Sequence, residues 1–266
     1  MIDPQTFADR NTPVVILCGG MGTRLREETE YKPKPMVDIG GRPVLWHIMK
    51  LYAHHGFRRF ILCLGYKGSV IKDYFLSYEA MSNDFTVHLG QQNRMTYQSS
   101  HAEQDFEVSL VDTGLRTMTG GRLKRIEPLI DTDTFMVTYG DGLADVDISA
   151  LVEYHFSHGA LATLTATRPP SRYGVLELGI DGRVVCFAEK AQSEWINGGF
   201  FVFNRGIFDY LDEECVLEQE PLQRLAAEGQ LRAFSHQGFW MGMDTYREYE
   251  MLNQIWDSGK PPWRVW

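Results

Sequence analysis

Val14-Val15-Ile16-Leu17-Cys18-Gly19-Gly20-Met21-Gly22-Thr23-Arg24-Leu25 decides the fold of this 266-residue chain. The opening run is apolar and largely β-branched, which reads as a strand buried on both faces. It delivers the chain into a loop bearing Gly19, Gly20 and Gly22. Without a Cβ, backbone N–H groups there can close on a bulky anion. Arg24 follows at once, and Lys34 stands on a segment stiffened by Pro33 and Pro35. Two cations beside a glycine cradle suit a polyphosphate that must be gripped and neutralised. A plain strand-to-helix turn would use its glycines for packing alone and would have no use for Thr23, Arg24 and the Pro-Lys-Pro segment.

Two better-known phosphate loops do not fit. A Walker A loop ends in Gly-Lys-Ser/Thr, whereas Gly22 is followed by Thr23-Arg24. A dinucleotide fingerprint places a third glycine where Leu25 stands, which argues against a nicotinamide dehydrogenase.

Outward from the loop, strand-like and helix-like segments alternate. Helical periodicity covers 44–55 and 69–78, with a further helix over 148–158, and strand-like runs cover 59–65, 85–89, 106–111, 135–139 and 161–167. This alternation predicts a doubly wound, mostly parallel α/β sheet. Beyond Arg168 the pattern changes: 174–180 and 184–187 flank Asp181-Gly182, a hairpin signal. A small antiparallel insertion is therefore expected on the α/β core. A strand over 200–203, helical segments over 207–211 and 221–228, and a last helix over 246–256 complete the chain. With no repeat or linker in view, residues 13–266 read as one domain behind an N-terminal arm, 1–12.

Hydrophobic residues make up 44% of the chain and charged residues 23%, enough for a core and against disorder. A formal net charge of −9 disfavours nucleic acid as a partner. Cys18, Cys63, Cys186 and Cys215 are scattered and read as reduced core thiols, neither a zinc site nor a disulfide framework. The N-terminus has no signal-peptide pattern and no run spans a bilayer, so the cytoplasm is the expected compartment.

In such sheets ligands bind at the carboxyl ends of strands, where 18–24 and 139–142 both fall. Asp141, between two glycines after an apolar strand, suits either a hard divalent ion or a turn. Asp244 reads by pattern as a helix N-cap, because a helix follows it. Lys190, beside Glu189, suits a sugar phosphate or an exposed loop. Asn197 with Gly198 and Gly199, ahead of the 200–203 strand, suits sugar hydroxyls or a plain turn. Arg122 stands at a Gly-Gly-Arg loop-to-helix junction, open to a base or phosphate; its alternative is a solvated helix start shared with Lys124 and Arg125. His47, His54, His55, His155 and His158 read as structural or surface groups. Trp256, Trp263 and Trp266 read as a packing or subunit-contact tail.

The block from Gly20 through Pro33-Lys34-Pro35 resembles the signature of the sugar nucleotidyltransferase family. Leu45-Trp46-His47-Ile48-Met49-Lys50, Met118-Thr119-Gly120-Gly121-Arg122-Leu123-Lys124-Arg125 and Trp263-Arg264-Val265-Trp266 are similar to its CDP-sugar-forming branch, and the likeness runs from about Val14 to Trp266. The resemblance implies a nucleotide-diphospho-sugar transferase (Rossmann-like) sheet. It implies that CTP and α-D-glucose 1-phosphate give CDP-glucose and pyrophosphate by direct displacement assisted by Mg²⁺. It further implies nucleotide contacts from Leu17, Cys18, Gly19, Gly20, Met21, Gly22, Thr23 and Arg24, with Thr117 and Arg122 near the cytosine. Arg24 and Lys34 would act on the phosphates, and Asp141 and Asp244 on the metal. Glu189, Lys190, Asn197 and Gly198 would hold the sugar phosphate, and a homo-oligomer would form partly through the C-terminal region. Two blocks depart from the branch: Ala191 replaces a proline after Glu189-Lys190, and Trp240-Met241-Gly242-Met243 replaces Trp-Gln-Pro-Met. The alternatives are the same chemistry with UTP, dTTP or another sugar 1-phosphate, and a non-catalytic nucleotide or sugar-phosphate sensor.

Overall fold

A computed structural model, describing residues 11–90, 94–169, 175–178, 180, 183–188 and 194–266, carries the opening stretch into the middle of a seven-stranded sheet. Its strands, in chain order, are β1 (Val14–Leu17), β2 (Arg59–Leu64), β3 (Glu107–Asp112), β4 (Thr134–Tyr139), β5 (Ala162–Thr167), β6 (Ile196–Asn204) and β7 (Leu231–His236). In space they lie in the order β7-β5-β6-β4-β1-β2-β3. β1 is parallel to both neighbours, β2 and β4, and only β6 runs against the strands beside it. The sheet is mixed and mostly parallel, as the alternation predicts.

The helices that position the site are α1 (Val44–His54), α2 (Gly68–Leu76), α3 (Thr119–Ile126), α4 (Ile148–His158), α5 (Glu220–Ala227) and α6 (Tyr246–Asp257). Alternate residues of β1 face opposite layers. Val14 and Ile16 pack with Leu45, Ile48 and Tyr52 of α1 and Leu252 of α6. Val15 and Leu17 pack with Leu123 and Ile126 of α3 and Leu225 of α5. A strand covered on both faces needs an unbroken apolar run, which is why Val14–Leu17 does not alternate. The chain winds outward from β1 through β2 to β3, then returns to β4 on the other side of β1. Strand order therefore reverses between β1 and β4, the place where open α/β sheets bind ligands.

Five features differ from the sequence expectation or go beyond it. The 85–89 run forms no part of the main sheet: Phe85–Val87 pairs with Met95–Tyr97 in a separate hairpin. Asn197, Gly198 and Gly199 precede no strand but lie inside β6, at a register shift against Leu164 and Ala166. Neither β7 nor the pairing of Trp240–Gly242 with Gly142–Ala144 is legible in the sequence. Cys18 and Cys63 are buried free thiols, but Cys186 is exposed and Cys215 only part-buried, so the core assignment fails for those two. The insertion is present as the antiparallel pair Val175–Leu178 and Val184–Ala188; its turn at Asp181-Gly182 lies outside the described residues, as does most of the 1–12 arm.

The tryptophan tail packs on α1. Trp263 is buried and its indole N–H donates to His47 Nδ1 at 3.4 Å, while His47 Nε2–H donates to the Ile39 carbonyl at 2.8 Å. These two bonds require a neutral ring. Burial holds the His47 pKa at about 4, below the usual 6.5. Between those values the unfolded chain takes up a proton that the folded chain refuses, so stability falls as pH drops from 6.5 toward 4, by about 3 kcal/mol in total. His47→Gln keeps one donor and one acceptor without a titrating ring. Melting curves at pH 7.5 and pH 5 should show a smaller acid loss in His47→Gln than in wild type; equal losses would remove His47 as the cause.

Candidate active site

The loop after β1 is held open by its own backbone and by one arginine. Gly22 has φ +62°, a conformation that favours glycine, and its carbonyl accepts from Leu25 N and from Thr29 Oγ1, each at 3.0 Å. Arg122, in the first turn of α3, is 4% exposed and its guanidinium lies against Gly19. A Cβ on Gly19 would stand 2.1 Å from the guanidinium carbon, so this glycine makes room for a side chain of the protein itself. Nη1 donates to Leu64 O at 2.9 Å, Thr113 Oγ1 at 2.8 Å and Gly114 O at 2.8 Å, and Nη2 donates to Gly19 O at 3.0 Å. Burial lowers its pKa, but a guanidinium stays charged. Arg122 lines a cleft together with the glycine loop, and its bonds go to the ends of three strands. Lys124 and Arg125 are likewise bonded to carbonyls, of Phe208 and Thr113, and form no merely solvated face.

Lys34 begins a one-turn 3₁₀ helix, Lys34–Met36, behind Pro33. Its ammonium donates to Asp141 Oδ2 and to Asp244 Oδ1, both at 2.6 Å. Burial alone would depress its pKa, but Asp141 and then Asp244 outweigh burial and raise it. Arg24 approaches Asp244 with both terminal nitrogens at 3.1 Å; Arg24 is largely exposed, so this pair contributes little to stability. Asp244 is no helix cap. Thr245 caps α6, in a capping box with Glu248, whose carboxylate also accepts from Asp244 N at 2.8 Å. The Asp244 side chain is left to face the two cations.

Two clefts meet at this cluster. One, of 330 Å³, is lined by the glycine loop, Lys34, Thr117, Thr119 and Arg122. The other, of 280 Å³, is lined by Asn197, Gly198, Gly199, Trp240 and Asp244. Arg24, Tyr139 and Asp141 border both. Most of the predicted site residues are thus brought together. Met21 is 55% exposed and outside both clefts, and Glu189 and Lys190 lie outside the described residues.

The sequence marks 139–142 as a ligand-binding strand end but gives no individual role to Tyr139, and Glu218 escaped it altogether. The Tyr139 hydroxyl donates to Glu218, which also accepts from Thr119 Oγ1 at 2.6 Å, and Asn197 Nδ2 donates to the same hydroxyl at 3.4 Å. Burial first, then the Glu218 charge, pushes the phenol pKa well up, so the hydroxyl keeps its proton. The Tyr139 ring packs on Gly199, which has φ +80° and where a Cβ would lie 2.5 Å from it. The position of Tyr139 just before Gly140-Asp141 was the available signal for it; Glu218, in a charged surface run, carried none.

A nucleotidyl transferase family model matches residues 13–254. The glucose-1-phosphate cytidylyltransferases of Salmonella typhimurium and Salmonella typhi are each 52% identical to this chain over 256 residues, 95% of it and 98% of theirs. Among solved structures, HddC from Yersinia pseudotuberculosis is 26% identical and superposes with a TM-score of 0.68, covering 92% of this chain and 99% of its own.

Replacing Arg122 separates a strand-holding role from a ligand-holding one. Arg122→Leu should lower unfolding free energy by about 3 kcal/mol, because carbonyls that it satisfies lose their donor. Urea denaturation checks this; weaker nucleotide binding at unchanged stability would assign the guanidinium to the ligand instead.

Proposed function

Because the chain belongs to the nucleotidyl transferase family, we propose that it transfers the cytidylyl group of CTP to α-D-glucose 1-phosphate, forming CDP-glucose and pyrophosphate. The activity is that of a glucose-1-phosphate cytidylyltransferase. The observation that carries this reading is near full-length similarity to two enzymes of that name. The cleft pair supports it chemically: one side offers a glycine loop and cations, the other an amide and an indole.

In this reaction an oxygen of the sugar phosphate forms a bond to the α-phosphorus as the bond to the pyrophosphate oxygen breaks. A phosphate monoester is largely doubly ionised at neutral pH, so no general base is required. The work left to the protein is positioning and neutralisation of charge. The glycine loop presents backbone N–H groups to the triphosphate, and Arg24 and Lys34 offset its negative charge. Asn197, oriented by its bonds to Tyr139 and Gly199, faces the sugar side.

Asp141 and Asp244 fit a magnesium site. Each brings an oxygen to 2.6 Å from a single cationic nitrogen, so the pair converges on a point suited to positive charge. Among the described residues no group of three or more His, Cys, Asp and Glu could hold a metal, and Mg²⁺ commonly completes its shell with phosphate oxygens and water. When bound there, the ion would supply neutralisation of the phosphates undergoing transfer. No helix among the described residues is long and apolar enough to cross a membrane. The reading includes a cytoplasmic site of action and self-assembly into a homo-oligomer, which sedimentation of the purified chain tests.

Pyrophosphate release with Mg²⁺ and α-D-glucose 1-phosphate should be strong with CTP and weak with UTP, dTTP, ATP or GTP. Preference for another nucleotide would keep the chemistry and discard the cytosine assignment. Asp141→Asn should lower kcat about 100-fold in folded protein, a much larger effect than the fall in melting temperature from the lost counter-charge to Lys34. An equal loss of fold would make Asp141 structural.

A further inference from the structure

Resting on the metal reading above, we propose that Lys34 is a resident cation: its ammonium occupies the point between Asp141 and Asp244 and leaves it when nucleotide and metal arrive together. The argument is geometric. Lys34 Nζ lies 2.6 Å from one oxygen of each carboxylate, which is the centre on which the pair converges. An ammonium and a divalent ion cannot share that centre, since both are positive and both need the same oxygens.

Charge bookkeeping gives the order of events. Two carboxylates face Lys34 and Arg24, so the charges of these four groups balance and their attraction for a free divalent ion is reduced. A polyphosphate in the neighbouring cleft changes that balance, because it brings negative charge of its own and gives the displaced ammonium a new partner. The protein also fixes how Lys34 can move. Pro35 packs on Gly140, where a Cβ would stand 2.8 Å from Pro35 Cγ, so the Lys34 backbone is held against the Asp141 loop. Only the side chain is free to withdraw. Lys34 borders the nucleotide-side cleft and not the sugar-side one, so withdrawal carries the ammonium toward the polyphosphate. Metal and nucleotide binding are then reciprocally coupled, each strengthening the other.

The test is Mn²⁺ binding to the full chain without nucleotide, followed by the free-ion electron paramagnetic resonance signal. Wild type should bind weakly, and Lys34→Met and Lys34→Gln should bind at least about tenfold more tightly, because the carboxylates lose their resident cation. Adding Asp141→Asn to either variant should abolish the gain. Melting curves supply a second readout that tolerates an unstable variant: Mn²⁺ should raise the melting temperature of Lys34→Met and leave wild type nearly unchanged. Variants that bind no tighter than wild type, while Asp141→Asn weakens binding in both, overturn the exchange and leave the metal site standing. Tight binding to wild type alone also overturns it. Binding absent from every protein without nucleotide overturns the exchange; binding that stays absent when CTP is added, or that is untouched by Asp141→Asn, removes the metal site as well.

Discussion

One guanidinium ties together the carboxyl ends of three neighbouring strands. Arg122 donates to Gly19 beyond β1, to Leu64 at the end of β2, and to Thr113 and Gly114 beyond β3. A parallel sheet leaves carbonyls at these ends, and a ligand cleft cannot be roofed by backbone that would satisfy them. An arginine fork can do so from the side, with several donors held in one plane. The composition of the loop follows from that solution. Gly19 and Gly65 both lack room for a Cβ because Arg122 fills the space. The glycines therefore serve the strand clamp as well as the anion cradle proposed for them.

With the strand ends fixed, the charged cluster assembles from segments far apart in sequence. The reversal of strand order places the loop beyond β4 beside the loop beyond β1, which brings Asp141 to Lys34. Asp244 arrives by a different route. Gly242 pairs with Gly142, and Met243 N donates to Asp141 O at 2.9 Å, so the two aspartates are carried on adjoining backbone. Thr245 then starts α6 with its own cap, which frees the Asp244 carboxylate for the cations. Neutrality of the resulting cluster lets it be part-buried without a net charge to solvate.

These routes explain which features were legible in the sequence. β1, β2 and β4 are buried on both faces, so their apolar runs are continuous, and the helices between them show clear periodicity. β7 has mostly exposed or part-buried residues and reads as polar surface. Asn197-Gly198-Gly199 looks like a turn because glycine usually punctuates; here the glycines admit the Tyr139 ring and a register shift within a strand. Residue type pointed to Arg122 and Asp244, but not to what each side chain does. The clamp joins the nearby Thr113 and Gly114 to Leu64 and Gly19, 58 and 103 residues away, and the cap falls to a neighbouring Thr245 that competes for the same local role. The family resemblance supplied the metal assignment of Asp244 that local pattern opposed.

The two clefts differ chemically in a way that suits them to different partners in the proposed reaction. The glycine-loop side supplies backbone donors and Lys34, and suits the more highly charged partner. The other side supplies the Asn197 amide and the Trp240 indole, whose N–H is committed to Gly198 O at 2.7 Å, and suits a ring bearing hydroxyls. Tyr139 stands between them, bonded to Glu218 toward the first cleft and to Asn197 toward the second. A change in the position of its hydroxyl is therefore felt on both sides. Because Asp141 and Arg24 also border both clefts, on the proposed function the groups that would meet the reacting phosphates are shared and the groups that would select each substrate are not. That separation would allow a single charged centre to serve transfer while base and sugar are recognised by different walls.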